Sequence, residues 1–218
     1  MSPFLVWQIA DSAFPTGAFA HSWGLEAAWQ HGEIESVDDL QDFVAAAARQ
    51  TAFGLIPLVN ATFDRPYDWH RLDSLADAFL TNAVANRASR QQGRTLLTTA
   101  ARIWPSPELE STKTTASQLA AHLGPVSGIV FRQIGLAKAD AQQVVLYSAV
   151  RGVISAAVRL GITGSYEGQR LQRHCAPWLD DLASRCASLD EDDLAQVSPI
   201  PDVLQATHDR LYSRLFQS

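Results

Sequence analysis

Six histidines, His21, His31, His70, His122, His174 and His208, are the side chains in this sequence best suited to divalent transition metals, because imidazole nitrogen ligates them well. Their spacing argues against a tight site: no H-x-H or H-x-x-x-H pair occurs, and only His174 has a thiol, Cys175, next to it. Adjacent helical side chains point roughly 100° apart, so that pair cannot converge on one ion. Nucleophilic catalysis would need Ser22 or Ser155 beside a histidine and an acid, yet no G-x-S-x-G elbow is present. Asp11 and Glu26 could form a paired acid site, or serve as a cap and a solvated carboxylate. The glycine-rich stretch Gly161 to Gly168 invites a phosphate-loop reading. No G-x-x-x-x-G-K-[ST] supports it, and a helix end followed by a turn fits better. We expect neither enzymatic activity nor nucleotide binding.

Two features remain. In the apolar stretch from Asp140 to Leu160, Ser148, Arg151, Ser155 and Arg159 fall on one narrow helical stripe with Gly152 beside it. A helix buried on most sides must offer such a stripe to polar partners, water or another subunit. The cost of unpaired buried charge favours a packing or subunit interface over a conducting path. The second feature is D-S-A-F-P-T-G-A-F-A-H-S-W-G-L-E, Asp11 to Glu26. Pro15 fixes its own φ and Gly17 reaches left-handed angles, so P-T-G is a bend between the apolar entry Phe4 to Ile9 and the next helix. Ser22 is placed to cap that helix, with Glu26 one turn on. Phe14, Phe19, Trp23 and Trp29 form an aromatic group that serves either as core or as exposed binding anchors.

The elements that must position these residues are helical. Apolar residues recur at helical spacing, and β-branched runs bounded by tight turns are missing, which predicts an all-α fold of eight to ten helices. Ser36 before V-D-D starts a helix whose buried face carries Leu40, Phe43, Val44 and Ala47. A further helical region spans Leu72 to Ala101, and Trp104 to Glu108 reads as a loop. A helix from Thr115 ends near Gly124 and Pro125, followed by a small-residue helix over Gly128 to Gly135. Asp140 to Leu160 is the most apolar helix and Pro177 to Ala187 is shorter. S-L-D-E-D-D from Ser188 reads as the acidic start of another, and Pro199 and Pro201 introduce a terminal helix over Asp202 to Phe216.

With 218 residues and 47% apolar content, the chain can bury a substantial core as one domain, 1–218. A formal charge of −6 with scattered arginines disfavours nucleic acid and points instead to a basic partner or an acidic-tolerant surface. No signal-peptide pattern and no apolar run of membrane-spanning length is evident, so a cytoplasmic protein without a membrane partner is expected. Cys175 and Cys186 would lie about 16 Å apart along a continuous helix, beyond disulfide reach, and reduced thiols are expected.

The P-x-G-x-F/Y-x-x-S-x-G-L-E pattern met by Pro15, Gly17, Phe19, Ser22, Gly24, Leu25 and Glu26 resembles the opening of the urease accessory protein F family. H-L-G-P-V-S-G-I-V-F-R-Q-I-G (His122 to Gly135), S-A-A-V-R-L-G-I-T-G-S-Y-E-G-Q (Ser155 to Gln169) and the ending from His208 to Ser218 resemble it too, so the likeness spans the chain. Where that family usually has G-Q-x-D-G-Q, Ser165, Tyr166 and Glu167 depart from it while Gly168 and Gln169 match. The resemblance implies a non-enzymatic, homodimeric adaptor in urease maturation. Such an adaptor bridges the urease-binding accessory protein (D, or H in some species) and the nickel-carrying GTPase G, and couples GTP hydrolysis to nickel delivery into apo-urease. It further implies no tightly bound cofactor, nickel handled within the complex along a water-filled internal route, a dimer contact at Tyr147, and Phe19 and Arg214 tied to a terminal segment that docks on partner binding. Partner or dimer contacts are thus expected at Pro15, Gly17, Phe19, His21, Ser22, Glu26, Tyr147, Ser148, Arg151, Ser155, Arg159, Gln169 and Arg214. A nickel-binding metallochaperone and a helical scaffold unrelated to urease are the alternatives.

Overall fold

The computed structural model describes residues 3–218. Among these, eleven α-helices and four short 3-10 turns form a helical bundle around one main hydrophobic core. The expected all-α architecture is what the chain adopts. Met1 and Ser2 of the single expected domain lie outside the described residues.

Helix α9, Lys138–Arg159, is the central element. It packs against α1 (Pro3–Ala10), α2 (Leu25–Gln30), α3 (Val37–Gly54), α4 (Ile56–Asp64), α8 (Leu123–Gln133) and α10 (Ser165–Cys186). By length and composition α9 could cross a membrane, contrary to the expectation that no run qualifies. Here it is a core helix, with Val144, Leu146, Val150, Val153 and Ile154 all buried. Around it lie α5 (Trp69–Phe79), α6 (Ala83–Ile103), α7 (Pro107–Ala116) and α11 (Pro199–Ala206).

Local chemistry explains most boundaries. Ser36 and Asp39 form a reciprocal capping box that starts α3, and its buried face carries Leu40, Phe43, Val44 and Ala47 as expected. Helix α4 follows immediately with Pro57 in its first turn, where a missing N–H costs nothing. The helical region from Leu72 to Ala101 is in fact two helices. Asn82 breaks it by accepting the N–H groups of Val84 and Ala85 and so capping α6.

Five expected boundaries need correction. Helix α7 starts at Pro107, capped by Ser106, and stops at Ala116 instead of running from Thr115 to Gly124. Ala121 at φ 61° then reverses the chain, and α8 starts at Leu123 with Pro125 in its permissive first turn. Pro177 sits inside a continuous α10 instead of starting a helix. The acidic run from Ser188 yields only a 3-10 turn, Glu191–Asp193, closed by its own capping box. The terminal helix ends at Ala206 and a 3-10 turn over His208–Arg210 follows; residues 211–218 then fold back as irregular chain, with the N–H groups of Leu215 and Phe216 taken by a side chain described below.

Candidate functional site

The stretch from Asp11 to Glu26 is built from bends. Asp11 caps its own turn by accepting the Ala13 N–H at 2.6 Å, and the Pro15 carbonyl accepts the Thr99 hydroxyl of α6 at 2.7 Å. Gly17 (φ 76°) leads into a 3-10 turn over Ala18–Ala20. Trp23 and Gly24 are then both left-handed, at φ 60° and 85°. The indole of Trp23 is seated beside Gly152 of α9, where an added Cβ would fall 3.2 Å from its Nε1. The glycine flanking the polar stripe is therefore the space for this ring.

Across this double turn Ser22 keeps part of its expected role as a helix cap, its hydroxyl accepting the Glu26 N–H in the first turn of α2 at 3.4 Å. Gly24 is the residue before α2, and it offers no side chain. Ser22 also binds the terminal segment. Its N–H and its hydroxyl both donate to the Ser218 carbonyl, at 2.6 and 2.9 Å. His21 Nδ1 shares a 2.6 Å hydrogen bond with the Ser218 hydroxyl, and the Gln217 N–H donates to the Ala20 carbonyl at 2.7 Å.

Glu26 is likewise no solvated carboxylate, being 2% exposed. Its oxygens accept the N–H groups of Leu215 (2.6 Å) and Phe216 (3.1 Å) and meet His208 Nε2 at 3.1 Å. Three donors from residues 208–216 thus converge on one buried acid, which ties the terminal segment to α2. Asp11 and Glu26 do not form a pair, since Asp11 is an exposed local cap.

The stripe on α9 divides. Arg159 closes the clasp: its guanidinium lies 3.6 Å from the Phe19 ring centroid and 4.2 Å from that of Phe216, and it donates to the Phe19 carbonyl. Burial pulls the Arg159 pKa down and the nearby Glu26 carboxylate opposes that pull. Ser148 and Arg151 instead face inward, lining a cavity of about 60 Å³ with Trp23 and Gln92. That cavity shares Trp23, Leu55, Gln92 and Leu123 with another of about 120 Å³, whose wall includes His21, Ser89, His122 and Ser218. Among the described residues His21 Nε2, Trp23 Nε1 and Arg151 Nε are buried without a hydrogen-bond partner along this seam. Polar groups so placed are suited to water. Ser155, half-buried between the two parts of the stripe, makes no side-chain hydrogen bond among the described residues.

Other candidate residues lie elsewhere. Tyr147 is 37% exposed beside a groove of about 630 Å³ between α1, α9 and α10, next to Trp7 at 64% exposed. Gln169 is exposed near the start of α10, and Arg214 pairs with Asp209, which also holds Arg87. The aromatic group does not assemble: Phe14 is buried beside Trp104, whereas Phe19 and Trp29 are exposed.

One constellation escaped sequence inspection because its members are far apart in sequence. His122 Nδ1 meets the Ser89 hydroxyl and its Nε2 meets Asp77, each at 3.1 Å. The residue types match a hydrolase triad, but the surrounding bonds are those of a helix start. Ser89 Oγ accepts the Leu123 N–H, and the N–H groups of Ala121 and His122 are consumed by buried Asp73. The N–H groups of Ala121, His122 and Leu123 are thus committed to the helix start and do not form an oxyanion hole. Among the described residues no three His, Cys, Asp or Glu side chains gather as metal ligands. Cys175 and Cys186 are free and buried, and burial pushes each thiol up to about 11.

Comparison with known proteins agrees with the resemblance that the sequence blocks carry. The UreF family model matches residues 5–176. Urease accessory protein F of Arabidopsis thaliana is 34% identical over 218 residues, covering 97% of this chain and 91% of that protein. The rice (Oryza sativa subsp. indica) protein of the same name is 33% identical, covering 96% and 83%. Urease accessory protein UreF of Arthrobacter sp. (strain FB24) is 30% identical, covering 97% and 95%. The chain belongs to the UreF family of urease accessory proteins.

Proposed function

We propose that this chain is a non-enzymatic adaptor in urease maturation, bridging accessory protein D/H and the nickel-carrying GTPase G so that GTP hydrolysis is coupled to nickel delivery into apo-urease. The observation that carries the reading is the clasp. The family-signature residues Ser22 and Glu26, Arg159 of α9 and the terminal segment spend their polar groups on one another to hold a shaped surface. A preorganised surface of this kind contributes by selecting a partner's conformation, not by reacting.

Nickel is cargo in this scheme. The seam from Ser148 and Arg151 past Trp23 to His21 offers donors and acceptors to a hydrated path, and the cationic Arg151 opposes a bare cation resting beside it. The homodimer is proposed to form through the groove beside Tyr147, with Phe4 and Trp7 as its exposed aromatic ridge. The protein would act in the cytoplasm with its partners.

The bridging role is tested by size-exclusion chromatography of purified accessory protein D/H and the GTPase, with and without this chain. A complex containing both is expected only in its presence. Equally tight association of the two without it would overturn the bridge, and submicromolar nickel binding by the isolated chain would favour the metallochaperone reading.

A further inference from the structure

The chain is acidic overall, with a net charge of −6, yet α6 carries Arg87, Arg90, Arg94 and Arg102 and not one Asp or Glu from Ala83 to Ile103. At roughly 100° per residue the four arginines fall within about 120° of the helix circumference. All four are exposed. The opposite face, with Ser89, Gln92, Leu96 and Ala100, is buried, so this basic side is the outer surface of the bundle.

The charges are only partly spent. Arg87 meets Asp209 at 2.8 Å, and Arg94 donates to the carbonyls of Leu119 and Ala120 while keeping its charge. Among the described residues Arg90 and Arg102 have neither an ion-pair nor a hydrogen-bond partner. Beneath the stripe runs a groove of about 400 Å³ lined by Pro15, Arg94, Thr95, Thr98, Arg102 and Ile103, without a carboxylate. Pro15 comes from the signature loop, fixed there by the bond from Thr99.

We propose that the outer face of α6, completed by the Pro15 bend, is a docking surface for an acidic segment of a partner protein. Three or four guanidiniums in register match carboxylates repeated along a helix or extended strand, and Arg is the side chain that pairs with carboxylates bidentately. The exposed Pro15 and Ile103 add the apolar contact typical of protein interfaces. A long nucleic acid would gain these few contacts against the repulsion of the whole acidic molecule.

The inference relies on the maturation reading only for the partner's identity. Its test compares Arg90→Glu/Arg94→Glu/Arg102→Glu with Arg49→Glu/Lys113→Glu/Arg170→Glu, scattered exposed positions that change net charge equally. Both must melt like the wild type. Against a mixture of apo-urease and the other accessory proteins, the α6 reversal is expected to weaken association about tenfold or more and to remove most of its salt dependence, with a smaller effect from the scattered variant. Equal weakening by both variants, or by neither, overturns the surface. Binding of duplex DNA or of phosphatidylserine vesicles, or self-association, that is lost only in the α6 reversal would overturn the occupant.

If the wild type binds nothing in the mixture, the maturation reading falls and poly-L-glutamate decides the surface. Binding lost only in the α6 reversal supports the proposal, and any other pattern removes it.

Discussion

Glu26, Arg159 and His21 carry the clasp between signature and terminal segment, and each makes a distinct prediction. Glu26→Gln leaves an acceptor but removes the charge that strengthens three hydrogen bonds, so a loss of about 1–3 kcal/mol in stability is expected. Amide exchange at Leu215 and Phe216 should rise well above that of core helices, and unchanged protection there would contradict the clasp. Arg159→Ala removes two ring contacts and a backbone bond. It should cost about 1–3 kcal/mol in chemical denaturation and impair urease activation, with Arg159→Lys intermediate.

Burial, and then the charges of His208 and Arg87, hold the His21 pKa down from 6.5 to about 4. Between those values the unfolded chain binds a proton that the folded chain refuses. Stability is therefore full above pH 6.5 and falls as pH drops towards 4, by up to roughly 3 kcal/mol from this group. The Asp209 carboxyl, lowered chiefly by its bond to Arg87, loses its contribution at lower pH still. Denaturant titrations across this range should show a slope that His21→Gln flattens. An identical slope in the variant would exclude His21 as its source.

At the scale of elements, close approach governs. A Cβ on Gly128 of α8 would overlap Thr62 Oγ1 and the Val59 carbonyl of α4 and fall 2.8 Å from the Phe63 nitrogen. Two helix backbones cannot yield cheaply, so Gly128→Ala is expected to destabilise by roughly 2–4 kcal/mol in urea unfolding. Helical periodicity made α3 and α9 legible, since both bury one continuous apolar face. The break at Asn82 and the start of α8 were less so. A cap or a positive φ at Ala121 depends on partners such as Asp73 that lie far off in sequence. Pro177 misled because one lost hydrogen bond inside a long, packed helix is tolerated where the neighbouring turns hold. The site was half legible. Pro15, Ser22, Glu26 and Arg159 stood out by type and spacing, whereas their convergence on the terminal segment rests on bonds spanning most of the chain.

For the molecule as a whole, one core fixes a central α9 that presents different sides to different tasks. One end grips the signature and the terminal segment, the inward residues line a polar seam, and Tyr147 faces an open groove. Outside this axis, α6 offers a basic face on an acidic body. That arrangement suits a protein that joins several partners. The most direct measurement is urease activity after incubating apo-urease with nickel, bicarbonate, GTP and the other accessory proteins, with this chain included, omitted, or carrying Arg159→Ala. We expect activation that depends on the chain and is impaired by the substitution; equal activation in its absence would contradict a role in urease maturation.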